Sequence, residues 1–143
     1  MVRRLVFLLA LVVSLGGCET VDNVLNFNKE RYARNNDQGK AWLSDQLLPA
    51  EANISGKWKC DDWGPSAFAQ TDRIVRGHLG QFPVEGVVSG RKAYLCVSDG
   101  GWIYYCVVLD IAGPDMLVGY YSRSVPYKSD QRKDIRLDRA SEY

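Results

Sequence analysis

Little in this sequence can build a catalytic or metal centre. A single histidine, His78, stands among 143 residues. Multi-histidine metal sites are thereby excluded, and a general base drawn from imidazole has one candidate. That candidate lies in Arg76-Gly77-His78-Leu79-Gly80, away from any nucleophile motif, and reads as a surface or structural residue. The 4 cysteines never fall at Cys-x-x-Cys spacing, which excludes a thioredoxin-type centre and a zinc knuckle. No glycine loop of the phosphate-cradling kind occurs. Asp61, Asp62 and Asp72 flank Gly64-Pro65-Ser66, but neighbours on one loop are poorly placed to straddle a glycosidic bond, and aspartate there serves turns. No catalytic residue, metal or cofactor is therefore expected, and the protein reads as non-enzymatic.

Charge of one sign is missing as well. The 18 Lys+Arg nearly cancel the 17 Asp+Glu, so no overall basic field holds nucleic acid by counterion release. Long apolar runs are scarce. The longest, Leu5 to Leu15, follows Arg3 and Arg4 and counts 11 residues. As a helix it reaches roughly 17 Å, against about 30 Å of hydrocarbon in a bilayer, so it is too short to span one. Charged start, apolar middle and N-terminal position are those of a secretory signal peptide over residues 1–17.

The run ends Leu15-Gly16-Gly17-Cys18, which resembles the lipobox of bacterial lipoprotein precursors. The resemblance implies cleavage before Cys18, diacylglycerol on its sulfur and a third chain on the new N-terminus. Two acyl chains already anchor stably at about 0.8 kcal/mol per buried methylene, so three imply a protein that stays on its membrane. Glu19, the residue after the lipidated cysteine, implies by the same resemblance the outer membrane, facing the periplasm. Removal of Arg3 and Arg4 leaves 16 basic against 17 acidic side chains, a nearly neutral mature chain.

From Glu19 to Gln38 the chain is polar, with Asn23, Asn26, Asn28, Asn35 and Asn36, and residues 18–39 read as a lipidated N-terminus and tether with weak helical tendency. Lys40 to Leu48 places Trp42, Leu43 and Leu47 at helical spacing before Pro49, predicting a short amphipathic helix that docks on its own domain. After Ile54 the texture changes to short β-branched and aromatic runs punctuated by Gly, Pro and Asp. Seven strands are expected: Gly56 to Cys60, Arg73 to Val75, Val84 to Val88, Ala93 to Val97, Trp102 to Leu109, Met116 to Tyr121 and Lys133 to Asp138. Ser89-Gly90, Asp99-Gly100 and Gly113-Pro114-Asp115 supply turns. The fold class is all-β, a small antiparallel meander or barrel over residues 55–139 preceded by the helix.

Gly56-Lys57-Trp58 at the first strand resembles the Gly-x-Trp opening of lipocalins and related small barrels, and Asp134-Ile135-Arg136-Leu137-Asp138-Arg139 resembles their closing strand. The resemblance implies an indole plugging one barrel end with a basic residue near it. Lipocalins have eight strands around a ligand cavity.

With a two-residue turn at Asp99-Gly100, Val97 faces Trp102 and Cys96 faces Ile103. One face then carries Ala93, Leu95, Val97, Trp102, Tyr104, Cys106 and Val108; the other carries Tyr94, Cys96, Ile103, Tyr105, Val107 and Leu109. Both are apolar, so something beyond the barrel interior must cover the second, and the Lys40 to Leu48 helix is expected to do so. Cys60, Cys96 and Cys106 are disulfide candidates in an oxidising periplasm. The face assignment favours Cys60–Cys106 across the interior, with Cys60–Cys96 next. The stretch from Arg123 to Arg139 holds six basic and three acidic residues. It reads first as a solvated loop leading to an edge strand. The second reading is a contact surface for an anionic glycan or headgroup, made of Tyr120, Tyr121, Arg123, Tyr127, Lys128 and Arg132. The function expected is a lipid-anchored envelope protein that binds a periplasmic protein or envelope component, with inhibition as one form. The alternative is a lipocalin-like carrier of a small apolar ligand.

Overall fold

A computed structural model describes residues 28–141; the leader, the Leu15-Gly16-Gly17-Cys18 motif and Cys18 lie outside the described residues. Two units divide the chain, Met1–Arg34 and Asn35–Tyr143. In the first, residues 28–34 are described and are helical. In the second, a helix over residues 35–44, here α1, precedes eight strands: β1 (Gly56–Cys60), β2 (Gly64–Thr71), β3 (Ile74–Leu79), β4 (Phe82–Ser89), β5 (Lys92–Asp99), β6 (Trp102–Gly113), β7 (Met116–Ser122) and β8 (Arg132–Arg139). Each strand pairs antiparallel with the next, and β8 returns to β1 to close a barrel.

Alternation assigns the faces. Trp58, Cys60, Phe68, Val75, Leu79, Val84, Leu95, Val97, Val107, Leu109, Leu117, Ile135 and Leu137 are all buried in one interior cluster. Lys57, Lys59, Arg76, Glu85, Asp110, Asp134 and Arg136 alternate with them and are exposed. Apolar within and charged without is the reverse of a barrel that faces lipid.

The eighth strand is β2, Gly-Pro-Ser-Ala-Phe-Ala-Gln-Thr, which intrinsic preference places in a loop. Pairing with β1 and β3 along its whole length overrides that preference. The helix also differs from expectation. Helix is already present before Lys40 and ends at Ser44 rather than Leu48, and Asn36, polar and read as tether, clamps the β5–β6 turn: its amide donates to the Gly101 carbonyl at 2.9 Å and its Oδ1 accepts from the Ile103 N–H at 2.8 Å. Gly39 and Leu43 follow one and two turns later, both buried. Beyond Ser44 the chain leaves the helix, and Leu47, assigned above to the apolar stripe, is 75% exposed.

The β5–β6 hairpin departs from the expected register. Its turn is Gly100-Gly101, both at positive φ, so Asp99 pairs with Trp102. A bulge then skips Tyr104, and beyond it Val97 pairs with Tyr105 and Cys96 with Cys106. Beyond the bulge the β6 faces are exchanged relative to the sequence reading: Tyr105 and Val107 belong to the interior cluster with Leu95 and Val97, while Cys106 turns outward to join Cys96 and Ile103. The outward set still needs a cover, and α1 provides it through Leu43 and Trp42, joined by Val125 and Tyr127.

Tight coiling of the wall needs glycine at particular points. A Cβ on Gly119 would collide with the Val108 carbonyl oxygen of the neighbouring strand, whereas one on Gly113 would meet nothing within 4 Å. Gly119→Ala is therefore expected to destabilise the barrel by about 1–3 kcal/mol, as overpacking does. Gly113→Ala is expected to leave the urea midpoint within about 0.5 kcal/mol of the parent. Equal midpoints for the two variants would refute the crowding argument.

Candidate functional site

Both barrel ends are closed. At one, the buried Trp58 indole donates from Nε1 to the Ile54 carbonyl at 3.0 Å. The Arg139 guanidinium lies 4.3 Å from the Trp58 ring and donates to the carbonyls of Ser55 at 2.9 Å and Pro114 at 2.8 Å. Asp115 completes the clamp at 3.4 Å. Residues 50–55 cross beneath, held by the Gln70 side chain, which donates to the Ala52 carbonyl and accepts from the Ile54 N–H. At the other end Trp63 meets Phe82, Tyr105 and Tyr121 edge-on, with ring centroids 5.9, 5.2 and 5.3 Å away. Such edge-to-face pairs each contribute about 0.5–1.5 kcal/mol beyond area burial. Trp63 lies between the strands expected from sequence, and no spacing signal marks it as a plug.

The broad indentations lie on the outside. One, of about 690 Å³, runs over β6, β7, β8 and β1. Tyr120 and Val118 contribute rings and methyls, and Asp61, Asp62, Asp110, Asp134 and Asp138 contribute five carboxylates against Lys59 and Arg136. Arg136 is already held by Asp138 at 3.0 Å, and Asp110 pairs with Lys92 at 3.7 Å. A second groove, of about 810 Å³, lies between the end of α1 and β3–β4, lined by Leu43, Ile74 and Val87. Arg73 bridges it by donating to the Gln46 carbonyl.

The six residues proposed as one contact surface are distributed over several places. Tyr120 and Arg132 do meet, with the guanidinium 4.1 Å from the ring centroid. Tyr121 turns inward to the Trp63 cluster. Arg123 lies 6.0 Å from the Tyr105 ring. Tyr127 stacks on Trp42 at 6.3 Å on the α1 side, and Lys128 is exposed before the short 3₁₀ turn Ser129–Gln131. Neighbours in sequence alternate faces along β7 and then follow a loop around the barrel, which separates them.

The three described cysteines are in the reduced form in this structure. Cys60 faces the interior and Cys96 and Cys106 the α1 side, so the wall of the barrel separates Cys60 from both and the expected Cys60–Cys106 and Cys60–Cys96 pairings do not form. Burial pushes the Cys60 thiol up. Cys106 is pushed up by its hydrogen bond with Cys96 and by burial. Neither is a reactive thiolate at neutral pH. His78 is exposed, with Nδ1 2.7 Å from the Gly80 carbonyl, and Asp72 takes a turn conformation at φ 54°. Asp61 and Asp62 are exposed on the β1–β2 loop.

Compared with known protein families, curated proteins and solved structures, the chain matches none. Fold and geometry define its class: an up-and-down eight-stranded barrel with closed ends, an apolar filling and an external helix.

Desolvation raises the Tyr121 hydroxyl above its ordinary value near 10, with the Asp62 carboxylate adding to it. The folded state thus holds this proton more tightly than the unfolded chain, and the associated stability is complete below pH about 10 and lost as pH rises through the higher folded value. Urea midpoints are expected to fall above pH about 10, less steeply in Tyr121→Phe. Identical alkaline slopes in the two proteins would contradict this assignment.

Proposed function

We propose that the protein is a non-enzymatic, lipid-anchored envelope protein that binds its partner with the outer wall of the barrel. The observation that carries this reading is the filled interior: Trp58, Leu95, Leu109 and Leu137 are each at most 1% exposed, and Trp63 and its three aromatic neighbours occupy the opposite end. A carrier of an apolar ligand needs that volume. The lipocalin-like alternative therefore has the barrel in its favour and the packing against it.

Anchoring rests on Leu15-Gly16-Gly17-Cys18, with Cys18 as the acylated residue and Glu19 as the basis for the outer membrane and its periplasmic face. The partner surface is the wall over β6, β7, β8 and β1, where Tyr120 offers a ring and carboxylates outnumber cations. That excess favours a cationic segment of an envelope protein over an anionic glycan or headgroup. Inhibition of an enzyme that enters the periplasm is one form such binding takes.

Photocrosslinking in intact cells tests the reading. A crosslinker at Tyr120 or Asp134 is expected to give one recurrent protein adduct, and one at the exposed His78 on the opposite wall none. Asp61→Lys with Asp134→Lys is expected to lower the adduct by about tenfold, as charge reversal does across a complementary interface. In the same cells, labelled palmitate is expected on the parent chain and absent from Cys18→Ser. Adducts of equal yield at both walls, or no acylation of the parent, would overturn the proposal.

A further inference from the structure

Two of the thiols are placed for a bond that the face assignment from sequence did not favour. The backbone N–H of Ile111 donates to the carbonyl of Arg91 at 2.9 Å, so Arg91 and Ile111 form a hydrogen-bonded pair at the far end of the β5–β6 ladder. From Lys92↔Asp110 to Val97↔Tyr105 the register runs without interruption. Hydrogen-bonded and non-hydrogen-bonded pairs alternate along an antiparallel ladder. Counting from Arg91↔Ile111, Ala93↔Leu109, Leu95↔Val107 and Val97↔Tyr105 are hydrogen-bonded, and Lys92↔Asp110, Tyr94↔Val108 and Cys96↔Cys106 are not. Non-hydrogen-bonded partners bring their Cα atoms to about 4.5 Å with side chains close together, inside the range a disulfide spans.

The surroundings agree. Cys96 and Cys106 are 1% and 0% exposed and share one face. The Cys96 thiol lies 3.7 Å from the Gly39 carbonyl of α1, to which it donates, and Leu43 belongs to the same cluster.

We propose that Cys96 and Cys106 form a disulfide across β5 and β6, made by exchange with a disulfide-bearing oxidant and then sealed beneath α1. One cysteine, as thiolate, attacks the oxidant's disulfide and releases one thiolate from it; the other cysteine attacks the resulting mixed disulfide and releases the second. The protein loses two protons and two electrons, and the oxidant leaves as two thiols. Exchange belongs to the stage before α1 docks, because the docked thiols are buried. The inference rests on the register and not on where the protein works. It leaves Cys60, inside the barrel, as the free thiol of the described residues.

Mass spectrometry tests it on the full chain refolded with reduced and oxidised glutathione, then alkylated with iodoacetamide in denaturant. No Lys or Arg lies between Ala93 and Ser122, so trypsin leaves both cysteines in the single peptide Ala93–Arg123. That peptide is expected to lack two hydrogens and carry no alkyl group. Chymotryptic cleavage between the cysteines is expected to leave fragments joined until a reductant is added, and the Cys60 peptide is expected to be alkylated. Alkyl groups on both Cys96 and Cys106, or a link that includes Cys18 or Cys60, would overturn the proposal. A second measurement reads the seal: phosphine reduction is expected to be at least about tenfold slower in the native protein than in denaturant, and faster in Leu43→Ala than in the parent. Equal rates in the native and denatured parent would refute burial beneath α1.

Discussion

An eight-stranded barrel is just wide enough to be filled by its own side chains, and here the Trp58 indole, fixed by Arg139, completes that filling at one end. The indole satisfies its N–H on Ile54 and lies against a guanidinium whose donors reach Ser55 and Pro114. Three chain segments that are remote in sequence meet on this pair: the crossing residues before β1, the β6–β7 turn and the end of β8. Because Trp58 and Arg139 are also partners in the register that closes β1 on β8, one contact both plugs the barrel and joins its seam.

A filled barrel moves the question of function to its exterior, where the wall is not uniform. Over β4, β5 and β6 an outward apolar set, Val87, Cys96, Ile103 and Cys106, is covered by α1. Over β6, β7, β8 and β1 they are carboxylates, two cations and an aromatic ring, open to solvent. The division has a local cause. The glycine turn and the bulge at Tyr104 set which residues of β6 face outward, and these include Ile103 and Cys106, which only a docked helix can keep from water.

Much of this architecture is legible in the residues. Alternation and turn glycines gave most strands, and the presence of two apolar faces on one hairpin was enough to require a covering helix. What failed did so for identifiable reasons. The strand β2 is built of small residues and a proline whose own preferences are weak, and only its two neighbours hold it extended. Asn36 carries no apolar signal, yet its amide satisfies two backbone groups of the β5–β6 turn region, so the docked part of α1 reaches beyond its hydrophobic stripe. Cys106 changed face because of the one-residue bulge at Tyr104, which spacing does not reveal. The contact surface suffered similarly, since Tyr120 and Tyr121 are adjacent in sequence and opposite in space.

The central claim is that, among the described residues, the barrel's own side chains fill its interior. Titration of the protein with a series of apolar probes, from anilinonaphthalene sulfonate to palmitate, while following tryptophan emission measures this directly. The account predicts no saturable change in emission at any chain length. Saturable one-to-one quenching by any probe would contradict it and restore the carrier.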